Sequence, residues 1–589
     1  MKKLLLLQLH LIKRKHAKFV SRLERALGDG SFHTMHLNQK NKLVQRVERV
    51  KLQLSRLESL IQYGSLAAVT ALALVATDAD AQTMTPQGAE FRVNTYTTSN
   101  QSPIYVGAPI DQMENPVSKT SAMDANGNFV ITWQSTNQAG ASSGYDIYAQ
   151  RYDAAGVAQG AEFLVNTYTT NQQFFPTIGM DASGDFVIAW QSVGQIASSG
   201  YDIYAQRYNA SGVAQGTEFR VNTNTPRSQT SPAVAMDNSG NFVVAWSSYN
   251  QVSTGSYDDV YLQRYDAAGV VQGTEVLVNT YTTKTQQLTS VAMDPTGNFV
   301  VTWQSYHQNG AYSNLDIYAK RYNASGVVQG AAFLVNTGTT YNTQSYASVD
   351  MDATGNFVIA WQSNNQLALD GTYNMYAKQY TKEGYLLKDE FLVNTTTGKH
   401  ARNASVAMAD NGNFVIAWIS INIASANSVR DVYAQRYNAS AAKQGGQFLV
   451  NTYTTGSQTV PSVAMNGAGD VVISWASKGQ DGSDYGVYAQ RYLIANPTTD
   501  ILNSSADSDN LFSFYPNPAK GVVNISTLKD LGETAISISN STGEIVLEDK
   551  QNLSQDGINT IDLSALPAGI YIVKLTSASG VESKKIVIQ

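Results

Sequence analysis

The sequence predicts an all-β protein: a seven-bladed β-propeller with four-stranded blades, whose N-terminal strand closes the last blade, followed by a small Ig-like β-sandwich. Three observations predict the ring. First, the seven tryptophans stand at 133, 190, 246, 303, 361, 418 and 475, at intervals of 56 to 58 residues. A tandem period of this length, with several strand patterns per copy, belongs to a closed array of blades. Second, each copy carries four segments in which apolar and polar residues alternate between Gly and Asx turns; copy two reads FPTIGMD, GDFVIAWQS, YDIYAQRY and GTEFRVNT. That alternation specifies short antiparallel strands. Third, the array is out of phase with itself. It opens on an isolated fourth-strand segment, GAEFRVNT at 88–95, and ends on a third-strand segment, VYAQRY at 487–492. Seven complete copies exist only if residues 89 to 95 supply the outer strand of the last one, which removes the two edges an open array would expose.

Within a copy the second strand is apolar on both faces: Phe186, Ile188 and Trp190 on one, Val187 and Ala189 on the other. Blade-on-blade packing demands such a strand, which assigns the tryptophans to the core. The hairpin acids Asp124, Asp181, Asp237, Asp294 and Asp352 each precede a Gly three residues on, as a tight turn requires. A calcium loop needs several converging oxygens, and Ala409 and Asn466 replace the acid in copies six and seven. A structural turn is the preferred reading, calcium the alternative, and no cofactor is expected. The repeated Arg151, Arg207, Arg264, Arg321, Arg436 and Arg491, with Gln379 in copy five, are read as structural pairing between blades.

The formal net charge of −6 divides into +10 over residues 1–62 and −16 over the rest. A basic stretch, the apolar run SLAAVTALALVA at 65–76 and Ala79-Asp80-Ala81 form a secretory leader, so 1–81 is expected to be removed and Gln82 to be the mature start. Leu43, Val47, Val50, Leu54, Leu57 and Ile61 would line one face of a basic amphipathic helix within it. With no cysteine, disulfides and thiolate sites are excluded. An acidic body poor in charge argues against nucleic acid as a partner, and a membrane is expected only through export or surface attachment. A monomer is expected.

After the array (82–492) comes a polar linker, 493–511, and then a second β unit, 512–589. Its motifs FYPNPAKGVVNI (514–525), DLSALPAGIYIVKL (562–575) and terminal KKIVIQ resemble the C-terminal sorting domain of type IX secretion substrates. The resemblance implies Sec passage, then outer-membrane translocation by the type IX machinery, and a place outside a Gram-negative cell, secreted or on its surface. It carries sorting roles onto Tyr515, Pro516, Asn517 and Pro518, onto Gly569, Tyr571 and Lys574, and onto Lys584 and Lys585. The repeats themselves resemble the WQS, YAQRY and EFxVNT repeats of large secreted bacterial surface proteins, which implies exposure and no particular activity.

Chemistry is sparse. Only His307 and His400 remain outside the leader, and no nucleophile or zinc motif accompanies them. A sialidase-like hairpin fails on spacing, because Gly127 precedes Trp133 by six residues rather than three. One subtler repeat is Gln at five residues past Trp: Gln138, Gln195, Gln251, Gln308, Gln366 and Gln480, with Ile423 the exception. All fall in the loop joining strands two and three, on one face of a closed ring. Either each amide caps its own loop, or the amides, with His307, Asp481 and Asp484, form a rim that recognises a surface glycan or protein. The expected function is a binding or adhesion module; the alternative is a polysaccharide-active or other hydrolytic propeller using acids that break the repeat, Asp111, Glu114, Asp370, Asp481 and Asp484. An insertion near 98–118 is read as a clasp over the seam or a lid.

Overall fold

The computed structural model describes residues 84–102, 119–140, 143–196, 200–225, 227–253, 255–310, 314–337, 342–367, 371–421, 428–494, 512–527, 531–540, 545–554, 559–567, 569–577 and 580–588. By its contacts the chain divides into 1–81 and 82–589. The leader, most of the insertion, most of the linker and Asp111, Glu114 and Asp370 lie outside the described residues.

Among the described residues the regular structure is all strand, in repeated four-stranded antiparallel sheets of a propeller-like fold. Copy two shows the pattern. Its inner strand Gln173–Met180 pairs with Phe186–Val193, that with Tyr201–Tyr208, and that with the short outer strand Phe219–Arg220. The inner strands of successive copies touch in sequence, and Gly456–Met465 of the last touches Ser121–Met123 of the first. The isolated N-terminal segment pairs with the last copy, Phe91 opposite Ala489 and Arg92 opposite Tyr488. Val93 N–H then donates to Val487 O at 2.8 Å, and Val487 N–H to Asn94 Oδ1 at 2.7 Å. A further strand, Met84–Pro86, pairs with Tyr492–Ile494 and extends that edge beyond the expected start at 89.

The second strands are buried on both faces. Phe186, Ile188 and Trp190 pack with Val130, Ile147 and Val165 of copy one, while Val187 and Ala189 pack with Val244 and Trp246 of copy three. All seven tryptophans are wholly buried. A feature invisible in the sequence recurs at the head of each inner strand from copy two onward. Phe175, Ser231, Leu288, Tyr346, Asn403 and Val460 adopt φ between 52° and 57° at a β-bulge. This left-handed conformation is costly for bulky and β-branched residues. In copies two, three, five and six the bulge N–H is held by a glutamine of the preceding copy: Gln134, Gln191, Gln304 and Gln362 accept from Phe175, Ser231, Tyr346 and Asn403.

Residues 512–588 form two sheets around one core. One contains Ile545–Leu553, Gly532–Asn540, Gly569–Ser577 and Gly580–Ile588; the other contains Phe512–Lys520, Val522–Thr527 and Asn559–Asp562. Phe512–Lys520 also meets the first sheet in parallel at Ala519 and Ile588. Between the sheets lie Val523, Ile525, Ile536, Ile538, Tyr571, Val573 and Ile586.

Candidate functional site

The loops joining strands two and three open on a residue with positive φ: Asn137, Gly194, Asn250, His307, Asn365 and Gly479. Gly and Asn tolerate this conformation best, and His307 fills the same turn position at φ 58°. The next residue is the repeated glutamine, and its geometry is shared between copies. In several copies, including two, four and seven, its Oε1 accepts from the serine three residues earlier, Ser192 to Gln195 at 3.0 Å, Ser305 to Gln308 at 2.8 Å and Ser477 to Gln480 at 2.6 Å, whereas Gln138 Oε1 and Gln366 Oε1 are buried without a hydrogen bond. Its Nε2 donates to a glutamate of the outer strand: Gln138 to Glu162 at 2.6 Å, Gln195 to Glu218 at 2.7 Å and Gln480 to Glu90 at 2.7 Å, with Gln251 to Glu275 and Gln366 to Glu390 alike.

The second oxygen of that glutamate reaches the preceding copy and accepts the N–H of the threonine in its VNT segment. Glu162 takes Thr95 N–H, Glu218 takes Thr167, Glu275 takes Thr223, Glu390 takes Thr337 and Glu90 takes Thr452, at 2.6 to 3.0 Å. Charge-assisted bonds of this kind are the stronger class. Copy six has lost both ends together: Ile423 replaces the glutamine and Gln447 the glutamate, with Gln447 Oε1 accepting Thr395 N–H at 2.7 Å. This paired change is legible in the sequence.

The repeated arginines also bind between copies. Arg151 donates to Ser211 O at 2.6 Å, Arg264 to Ser325 O at 2.6 Å and Arg321 to Lys382 O at 2.6 Å; Gln379 donates to Ala439 O at 2.9 Å, and Arg491 reaches Ala155 O across the seam. Burial lowers the pKa of Arg151, Arg264 and Arg321. The hairpin acids are occupied as turn acceptors: Asp181 Oδ1 takes Ser183 N–H at 2.9 Å, Ser183 O–H at 2.7 Å and Asp185 N–H at 3.0 Å. Among the described residues no three His, Asp or Glu side chains gather as a metal would require.

Asp481 and Asp484 share the last such loop but face different neighbours. Asp481 Oδ1 accepts from Ser483 N–H and O–H at 3.0 and 2.7 Å, while its Oδ2 is buried without a hydrogen bond. Asp484 lies 3.6 Å from Lys478 Nζ, with both side chains half exposed. Burial, with Asp481 adding to it, raises the Tyr488 phenol to about 12. In copy three the end of the second strand and the loop after it present exposed apolar and aromatic surface, with Tyr249, Val252 and Tyr257 at 39%, 41% and 46% exposure.

Sequence reasoning missed the axis of the array. A cavity of about 220 Å³ is lined from all seven copies, including Met123, Met180, Met236, Met293, Met351, Met408 and Met465. At its wall Asp350 stands where the other copies carry Ala or Gly, and Lys119 reaches it at 3.4 Å from copy one. Asp350 Oδ2 also accepts Met408 N–H at 2.8 Å. The signal available was Asp350 itself, an acid at a small-residue position.

In the second unit Tyr571 is buried and its hydroxyl donates to Pro567 O at 2.9 Å, while Lys574 is exposed. The side chains of Tyr515, Pro516, Asn517, Pro518, Lys584 and Lys585 lie outside the described residues.

No curated protein sequence matches the chain. Among solved structures it is similar to a protein of unknown function from Dyadobacter fermentans, at 10% identity and TM-score 0.38, over 54% of this chain and 94% of that one. A polysaccharide lyase, an ulvan lyase, aligns at 12% identity and TM-score 0.43 over 70% and 96%. PorZ, a surface component of the type IX secretion system of Porphyromonas gingivalis, aligns at 12% and 0.37 over 82% and 61%. The family model described as the secretion system C-terminal sorting domain matches residues 513–589. The chain therefore ends in a type IX sorting domain and is an exported protein.

Proposed function

We propose that the chain is a secreted or cell-surface binding and adhesion module. On this reading residues 82–492 are a seven-bladed β-propeller and 512–589 an Ig-like sandwich, with Sec passage directed by 1–81 and type IX export by the tail. Support for seven blades comes from the inner strands that touch in sequence back to the first, and from the seam bonds of Glu90, Arg491 and Tyr152. The observation that carries the binding reading is the exposed aromatic surface of Tyr249, at the end of the second strand, and Tyr257, in the loop whose Gln251 is braced by Glu275. Tyrosine offers a rigid apolar face with a polar tip, which suits sugar rings and protein surfaces. The braced glutamines act on this view as supports for the loops, and the ligand meets the residues beyond them.

A glycan array probed with the secreted protein tests the proposal. Binding without product formation is expected, at least tenfold weaker in Tyr249→Ala/Tyr257→Ala, with stability within about 0.5 kcal/mol of the parent because both positions are on the surface. Time-dependent cleavage, or binding indifferent to both tyrosines, would sink it. Asp481 Oδ2, buried without a partner, favours the enzymatic alternative; that reading requires turnover to vanish in Asp481→Ala or Asp484→Ala while folding is retained.

A further inference from the structure

Copy four breaks the loop brace in one place only: Ala332 occupies the position of the outer-strand glutamate. The groups that surround that carboxylate elsewhere are retained. In copy five Glu390 receives Gln366 Nε2 and Thr337 N–H, the latter at 2.7 Å, and has Lys378 Nζ at 3.8 Å. Counterparts at the same repeat positions in copy four are Gln308, Thr280 of the preceding VNT segment, and Lys320.

Two of these donors, Gln308 and Lys320, are held in place. Ser305 pins Gln308 Oε1 at 2.8 Å, as Ser192 pins Gln195 in copy two, where the Nε2 end goes to glutamate. Lys320 is 8% exposed, and its Nζ donates to Val278 O at 2.7 Å just as Lys378 Nζ donates to Val335 O at 2.6 Å. Lys378 has Glu390 as its counter-charge, whereas no carboxylate pairs with Lys320 among the described residues. Burial alone lowers the Lys320 pKa; at Lys378 the same effect is opposed by Glu390 and Asp389. A buried ammonium without a counter-ion is unfavourable.

We infer that the notch in copy four between Gln308, Thr280 and Lys320 is a binding site for an external carboxylate, which takes the place of the missing glutamate side chain. What glutamate carries beyond Cβ is a methylene and a carboxylate, the outline of an acetate ion. Ala332 is only half buried and Thr280 is exposed, so the notch opens to solvent on the outer rim. The ligand class is a small carboxylic acid, free or as the acid group of a uronic sugar. The inference is independent of the glycan reading of the copy-three loop.

The test is calorimetric titration of the secreted protein with sodium acetate and with glucuronate, using sodium chloride at equal ionic strength as the blank. Saturable binding of acetate is expected, at least tenfold weaker in Ala332→Glu, which restores the internal carboxylate, and also weakened in Lys320→Gln, the residue that copies one to three carry. Ala332→Glu should melt at or above the parent temperature, because it reproduces a bonding pattern the fold already uses. Glucuronate competing with acetate assigns the notch to sugar acids, and acetate binding alone assigns it to small free acids; both support the inference. Absence of saturable binding, or acetate binding unchanged in Ala332→Glu and Lys320→Gln, overturns it.

Discussion

Deletion of residues 84–95 is expected to destabilise the array by about 5 kcal/mol and to make it associate, since the change uncovers the third strand of the last copy. Four contributions point the same way. Val93, 2% exposed, would lose burial worth about 1.5 to 3 kcal/mol. Glu90 would no longer accept from Thr452 N–H and Gln480, charge-assisted bonds of about 1.5 to 3 kcal/mol each. Val487 N–H would lose Asn94 Oδ1, and Tyr152 O–H would lose Val93 O. The exposed edge of Tyr485–Ile494 is then a template for pairing with another chain. Chemical denaturation and light scattering read the two effects; a deletion variant that stays monomeric with parental stability would contradict closure by this segment.

Trp133→Ala is expected to cost about 3 to 5 kcal/mol, the range for emptying a large aromatic from a packed core. Trp133 lies at the seam, in one cluster with Val93 of the N-terminal strand and with Ala464, Val472, Val487 and Ala489 of the last copy. Its indole N–H has no partner among the described residues, so the loss is apolar. Trp190→Ala should cost about 1 kcal/mol more, because Trp190 Nε1 donates to the buried Gln173 Oε1 at 3.2 Å and its removal strands that oxygen. Urea unfolding of the two variants compares them directly; a cost under 1 kcal/mol for Trp133→Ala would place that ring outside the core.

The braces show how far a repeat can be read before folding. Recurrence of Gln138 and its equivalents marked a position under constraint; Glu162, Glu218, Glu275, Glu390 and Glu90 recur as well, in a separate column. Their partnership required the outer strand to turn back beside the loop, and the contact with the VNT threonine required a neighbouring copy. The copy-four notch follows the same logic. Ala332 in isolation is an unremarked substitution; it gains meaning only beside copy five, where Glu390 at the same repeat position binds Gln366 and Thr337 and lies near Lys378.

Periodicity and alternation were sufficient for the repeated four-stranded antiparallel pattern and the core position of each tryptophan, because these follow from local geometry repeated every 56 to 58 residues. The sorting tail was legible for a similar reason, since its three motifs lie within one short unit. Tertiary structure alone decided what depends on distant segments meeting: the added strand Met84–Pro86, the left-handed bulges held by the preceding copy and the Lys119 to Asp350 contact over the axis. Each is set by segments more than 40 residues apart or by backbone strain offset by a neighbour. Such couplings arise only when the copies are packed together, so their partners are not paired by local sequence.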